Sequence, residues 1–189
     1  MLCTVATLGS LLSRSCSTRA SSKLSQTMDA NRVDSTSALR SRNSVSTDGN
    51  YKLELVLPRL TWNVGDPISG TAILSLTDSQ PTKVTGASEL IAFAFDEVGG
   101  IRHVAPIWGQ SCSEYPLDPA TPQSVAIYKS GAFQGNEPDA DFLRTFFADP
   151  EIHLPAGTWD ITAIASFSES GCAAPNRTIQ ATVRIHVTG

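Results

Sequence analysis

Two alternating runs near the end of the chain constrain the fold more than any other part of this sequence. Between Leu154 and Phe167, every second residue from Trp159 onward is apolar, and Ile164 is the one apolar residue on the polar face. Between Thr178 and Val187 the alternation of polar and apolar residues is unbroken. Because successive side chains of a strand point to opposite faces, each run predicts a β-strand with one buried face.

Five further segments before these runs also predict strands. The segment Glu89–Asp96 is apolar on both faces, which is typical of a central strand covered on both sides. The Gly99-Gly100 pair after it predicts a tight hairpin, because such turns need positive φ. The five predicted strands are Tyr51–Leu57, Ile68–Thr77, Glu89–Asp96, Ile101–Trp108 and Ser124–Lys129.

One helix is predicted, between Asn136 and Pro150, with Phe142 and Phe146 one turn apart on the same side. About seven strands and one short helix indicate an all-β antiparallel sandwich. The strand order A, B, C, C′, E, F and G is immunoglobulin-like, with the helix in the E–F connection. The cysteines on B and F that mark antibody domains are absent, so the expectation concerns architecture only. A barrel is the alternative.

Three segments carry a resemblance to known families. The turns Trp62–Gly70 and Leu154–Trp159 resemble those that precede strands B and F in bacterial immunoglobulin-like modules. The hairpin from Phe93 to Trp108 resembles the phenylalanine-rich hairpin of the intracellular proteinase inhibitor (BsuPI-like) family. Together the resemblances cover roughly residues 51–189 and imply a sandwich fold. The second one implies proteinase inhibition as an alternative function, by analogy of fold alone.

Charge divides the 189-residue chain into two parts. Residues 1–50 are rich in Ser and Thr and carry six basic and three acidic residues, a net charge of +3. Such a segment cannot bury enough apolar surface to become ordered, which predicts a disordered leader. Residues 51–189 carry eight basic and fifteen acidic residues, a net charge of −7, and form the predicted sandwich domain. That charge argues against a nucleic-acid partner, whose phosphates need a basic face.

The leader also bears on location. The short apolar stretch before Cys16 resembles an export signal or lipoprotein box, which implies a lipid anchor at Cys16. An organellar transit peptide and a misplaced start codon are the alternatives. No stretch of the sequence approaches the roughly 18 apolar residues of a membrane helix. We therefore expect no transmembrane span. The export-type leader predicts an extracellular or bacterial cell-envelope location.

Two cysteines fall at the same end of the predicted sandwich. Cys112 follows strand C′, and Cys172 lies in the F–G loop. Because C′ and F run in the same direction, both cysteines are expected close together, and a disulfide is possible if their Cα atoms lie within about 7 Å. Two free thiols are the alternative. A disulfide would point to an oxidising compartment.

Neither catalytic nor metal-binding motifs are recognisable. His103, His153 and His186 are isolated from one another, and no nucleophile elbow, phosphate-binding loop or zinc-protease motif occurs. The segment with Glu137, Asp139 and Asp141 could offer oxygens to a calcium ion, although acids in the first turn of a helix are the favoured explanation. We expect a non-enzymatic protein without a cofactor.

Aromatic residues supply the candidate binding surface. Trp159 belongs to the predicted core, whereas Trp62 and Trp108 lie near turns and either pack over the rim of the core or are partly exposed. We expect Trp108 and Tyr115, with the 112–123 and 168–177 loops, to contact a protein or a surface polymer. The prediction is therefore an exported or envelope-attached binding module. A proteinase inhibitor and a calcium-stabilised structural module are the alternatives.

Overall fold

The computed structural model describes residues 42–172 and 175–189, which contain eleven strands and one helix. The helix among these residues is not long and apolar enough to cross a membrane. The elements, in chain order, are β1 (Asn43–Asp48), β2 (Tyr51–Val56), β3 (Thr61–Asn63), β4 (Thr71–Leu76), β5 (Thr82–Gly86), β6 (Ile91–Glu97), β7 (His103–Val104), β8 (Ser113–Leu117), β9 (Gln123–Ala126), α1 (Ala140–Ala148), β10 (Gly157–Phe167) and β11 (Arg177–Thr188).

The strands form two main sheets and a separate ribbon. One sheet has the order β1-β2-β4-β9, the other has the order β3-β11-β10-β6-β7, and β5 pairs with β8. The predicted strands A, B and E are neighbours in the first sheet, and C′, C, F and G are neighbours in the second. The all-β sandwich is therefore confirmed. One pairing departs from the antiparallel pattern, because β3 runs parallel to β11.

The two alternating runs form the longest strand pair of the protein. In β10 and β11, Trp159 lies opposite Ile185 and Ile161 lies opposite Val183. All four of these side chains have no exposed surface. On the other side of β10, Ile161 lies opposite Phe95 of β6, which is also fully buried. Cross-strand apolar pairs on one face therefore build the centre of the core, as the alternation predicts.

The helix covers part of this core. Leu143 and Phe146 of α1 are buried, and the Phe146 ring lies 5.5 Å from that of Phe95. The Phe142 ring lies 5.6 Å from that of Trp159. The helix is shorter than the predicted segment between Asn136 and Pro150, and its apolar side packs against the inner face of the five-stranded sheet.

The sandwich begins earlier than predicted. Strand β1 lies within the segment expected to be a disordered leader, and it pairs along its whole length with β2. The boundary at residue 50 was therefore wrong. Val45 is the only large apolar residue of β1, so local hydrophobicity did not distinguish this strand from the Ser/Thr-rich segment before it. Residues 1–41, with the expected lipid anchor at Cys16, lie outside the described residues.

Two other strand expectations needed correction. The return strand predicted at Ile101–Trp108 is only His103–Val104, because the chain leaves the edge of β6 after Val104. The expected proline-rich loop after Cys112 contains β8, which pairs with β5. Pro116 is tolerated in β8 because the strand is at an edge, where one backbone N–H is not needed for pairing. Gly99 has the positive φ that the hairpin turn predicts, +78°.

Candidate functional site

A disulfide bond joins Cys112 to Cys172, and their Cα atoms lie 5.8 Å apart. This confirms the predicted pairing and the expectation that both cysteines lie at one end of the sandwich. Both residues are exposed. The bond ties the segment between β7 and β8 to the loop between β10 and β11.

Hydrogen bonds also join the segments at this end of the molecule. Thr85 in β5 and Ser168 after β10 exchange two backbone hydrogen bonds, with N···O distances of 2.9 and 2.7 Å. The Thr85 hydroxyl also donates to the Gly171 carbonyl oxygen at 2.5 Å. The Tyr115 hydroxyl donates to the Ala87 carbonyl oxygen at 2.6 Å. The β5–β8 ribbon is therefore attached to the end of β10, and the loop that carries Cys172 has a support besides the disulfide.

A cleft of about 310 Å³ lies beside the disulfide. Its described lining consists of residues 85–87, residues 108–112, Ser166, Cys172 and Pro175. None of these residues is an acid, a base or a histidine. The disulfide crosses from the segment that carries Trp108 to the loop that carries Pro175, so it joins two parts of the wall.

The structure separates the two aromatic residues predicted to bind a partner. Trp108 is half-buried and lines the cleft. Tyr115 is half-buried behind the wall, with its hydroxyl engaged by Ala87. Trp62 is only 2% exposed and packs under the Arg59 guanidinium, whose carbon lies 4.0 Å from the ring centre. Trp62 therefore belongs to the core and not to a binding surface, while Trp159 is in the core as predicted.

A second, charged cleft of about 330 Å³ borders the same loop. The Tyr51 hydroxyl donates to Glu169 Oε1 at 2.9 Å, and Arg177 Nε donates to Glu169 Oε2 at 3.0 Å. Arg177 also bonds Asp48 at 3.1 Å, so two carboxylates surround one guanidinium. Burial and the nearby Glu169 raise the pKa of Tyr51 to about 12, whereas bonds from Tyr51 and Arg177 lower the pKa of Glu169.

Sequence reasoning missed this charged cluster. Asp48 and Tyr51 belong to the first two strands, whereas Glu169 and Arg177 flank the loop near the end of the chain. No local pattern links groups that lie more than 100 positions apart. Asp48 also lies inside the segment expected to be disordered, so the sequence did not place it in the folded domain.

Two of the three carboxylates of the candidate calcium segment are engaged by other residues of the described chain. Asp139 Oδ2 accepts a hydrogen bond from the His103 backbone N–H at 2.9 Å. Asp141, whose side chain is 96% exposed, pairs with Arg144 at 2.6 Å. Glu137 is half-buried. Among the described residues no three His, Cys, Asp or Glu side chains are grouped so that they could hold a metal ion. The geometry therefore gives no support to the calcium alternative.

The histidines are placed on the surface of the second sheet or near the helix. His103 and His186 are exposed. His103 Nδ1 contacts the Asp96 carboxylate, which makes an exposed ion pair when the imidazole is protonated. His153 Nε2 lies 3.3 Å from Glu151. None of the three histidines lines the cleft beside the disulfide.

Comparison with known proteins does not assign this chain to a family. A scan against models of protein families finds no match. A search of curated proteins likewise finds no relative.

Proposed function

We propose that the protein is a non-enzymatic β-sandwich module, exported or attached to the cell envelope, that binds a protein or a surface polymer. It binds through the cleft beside the Cys112–Cys172 disulfide. The observation that carries the proposal is the position of Trp108, a half-buried aromatic side chain in a cleft whose wall is crosslinked. Aromatic side chains in such positions supply a large share of binding energy in protein interfaces.

The segment that carries Trp108 is held at both of its ends. At one end Val104 is 1% exposed and lies opposite Phe95 in the sheet. At the other end Cys112 is bonded to Cys172. A binding wall that is ordered before the partner arrives loses less conformational entropy on association. This supports a role in recognition.

The chemistry of the cleft supports binding and not catalysis. General acid–base catalysis needs a titratable group in contact with the substrate. The described lining of the cleft contains no carboxylate, imidazole, lysine or free thiol, because its two cysteines are joined to each other.

The disulfide supports the proposed location. Disulfides persist in oxidising compartments such as the cell exterior and the periplasm, and they are rare where glutathione keeps thiols reduced. Because Cys112 and Cys172 are exposed, a reducing compartment would have access to this bond.

The proposal is tested by comparing partner capture by the wild type, W108A and I107A. Ile107 is 57% exposed and adjacent to Trp108, but it does not line the cleft, so it is a matched control. The immobilised proteins are exposed to secreted proteins and surface polymers from the native source. We expect W108A to lose a ligand that the wild type and I107A retain.

One result would contradict the proposal. If W108A retains every ligand that the wild type retains, the cleft is not the binding site. Circular dichroism and urea unfolding of the two variants establish that a loss of capture does not come from a loss of the fold.

A further inference from the structure

The cleft beside the disulfide is uncharged although the domain around it is acidic. Residues 51–189 have a net charge of −7, yet neither acids nor bases occur in the described lining of the cleft. The charged cluster around Arg177 lies in the other cleft, where two carboxylates already engage the guanidinium. An ionic ligand would find no opposite charge beside Trp108. The cleft is therefore suited to a neutral ligand.

Three polar side chains of the lining have free hydrogen-bonding capacity. The Gln110 amide and the Ser111 and Ser166 hydroxyls make no hydrogen bond with other residues in the described part of the chain. One amide and two hydroxyls can both donate and accept. They match a ligand that also carries groups of both kinds, such as the hydroxyls of a sugar.

Trp108 supplies the apolar complement to these groups. Large aromatic rings combine a flat apolar face with little conformational entropy to lose. Gly86 and Gly109 also line the cleft. A sugar ring, with one face of C–H groups and a rim of hydroxyls, fits a flat aromatic face flanked by hydroxyl and amide groups.

We infer that the ligand of this cleft is an uncharged saccharide, bound with Trp108 against a sugar face and with Gln110, Ser111 and Ser166 hydrogen-bonded to hydroxyls. This inference rests on the proposed function and names its ligand class. The volume of about 310 Å³ is near the lower end of ligand sites, roughly 300 Å³. The cleft therefore holds a short segment of a saccharide, and the rest of a longer chain extends into solvent.

A peptide is the competing ligand, and the local strand pairing disfavours it. Peptides commonly bind by adding a strand to an open sheet edge. At the cleft, Thr85 of β5 is already paired on one side with Glu114 of β8 and on the other with Ser168. An added strand would therefore find no free backbone edge at Thr85.

The test uses the full chain with its disulfide intact and a panel of neutral oligosaccharides, namely glucan, mannan, galactan and N-acetylhexosamine oligomers. Matched oligomers of uronic acids and a proline-rich neutral peptide form the comparison arms. Tryptophan emission reports binding directly, because Trp62 and Trp159 are 2% and 0% exposed and Trp108 alone of the three lines the cleft. Calorimetry measures the affinity at two salt concentrations.

We expect at least one neutral oligosaccharide to bind with an affinity that does not change with salt, because no ion pair forms. W108A should weaken that binding at least about tenfold, whereas W108F should retain most of it, since a smaller aromatic face remains. Q110A should weaken it about three- to tenfold, the effect of one lost hydrogen bond. Q180A, at an exposed glutamine outside the cleft, should leave the affinity unchanged.

Three results would overturn the inference. The first is that no neutral oligosaccharide in the panel binds, and the second is binding that W108A and Q110A leave unchanged. The third is preference for the uronic acid oligomers or for the peptide. Peptide binding that depends on Trp108 would reject the saccharide as ligand but would still support the proposed function. The failure of this inference can therefore be distinguished from the failure of the proposed function.

Discussion

The Cα atoms of Cys112 and Cys172 lie 5.8 Å apart although 60 positions separate the two residues in the chain. The bond between them joins the segment that carries Trp108 to the loop between the two longest strands. That loop also borders the charged cleft through Glu169 and Arg177. The disulfide therefore joins a wall of the uncharged cleft to the loop that borders the charged cleft, at the same end of the sandwich.

The disulfide should contribute strongly to stability. Replacing both residues in the C112S/C172S variant should lower the free energy of unfolding by about 4 kcal/mol, because closing a loop of this length restricts the unfolded chain. Urea unfolding followed by circular dichroism measures the change. Reduction of the wild type should give the same loss, which separates the effect of the bond from the effect of the serines. A loss below about 1 kcal/mol would mean that strain in the folded state offsets the entropic gain.

Tyr51 should make stability depend on pH in the alkaline range. Its pKa is raised from 10.0 to about 12 in the folded state, mainly by burial and then by Glu169. The folded state therefore favours the neutral phenol. This stabilisation is fully present below pH 10 and is lost as the pH rises from 10 to 12, because only the unfolded chain releases its proton in that window.

The Y51F variant tests this dependence. It should lose about 1.5 kcal/mol at neutral pH, the cost of a hydrogen bond to a charged group, and its stability should fall less steeply above pH 10. Burial raises the pKa of Tyr128 as well, so the ultraviolet titration of the wild type must be compared with that of Y51F to isolate Tyr51. Equal alkaline slopes in the two proteins would contradict the assignment.

Lys129 should stabilise the C-terminal end of α1. Its ammonium group donates to the carbonyl oxygens of Phe146 and Asp149, the second at 2.6 Å, and lies 4.5 Å from the centre of the Phe146 ring. K129M keeps most of the aliphatic side chain and removes the donors. We expect a loss of about 2 kcal/mol, because two carbonyls at a helix end lose their partner.

The R144M variant provides a control on the same helix. Arg144 pairs with Asp141, but both side chains are largely exposed, so its removal should change stability by less than about 0.5 kcal/mol. Hydrogen exchange should show faster opening of α1 in K129M and unchanged opening in R144M. If the two variants behave alike, Lys129 has no special role at the helix end.

Sequence patterns anticipated the features that depend on local periodicity. The alternation in β10 and β11 predicted two strands with one buried face, and the order of the predicted strands led to the two sheets of the sandwich. The same order placed Cys112 and Cys172 at one end. Each of these inferences needs only the direction of a side chain or of a strand, and both follow from position in the chain.

Strands β1 and β8 were not anticipated, for a physical reason. Strands β1 and β8 contain polar residues or proline, and they are strands because a partner pairs with them. The choice of partner is a long-range event that local composition does not report. For the same reason, the position of Trp62 near a turn left open whether its side chain is buried or partly exposed.

The sequence by itself determined the fold class, the long strand pair and the end of the sandwich where the two cysteines lie, because these depend on the periodic burial of side chains. Only the tertiary structure decided which groups meet at that end. It placed Trp108 in an uncharged cleft and Tyr115 behind the wall, and it brought Tyr51 to Glu169. Packing between distant segments decides such contacts, and a chain read in order does not contain that information in any local pattern.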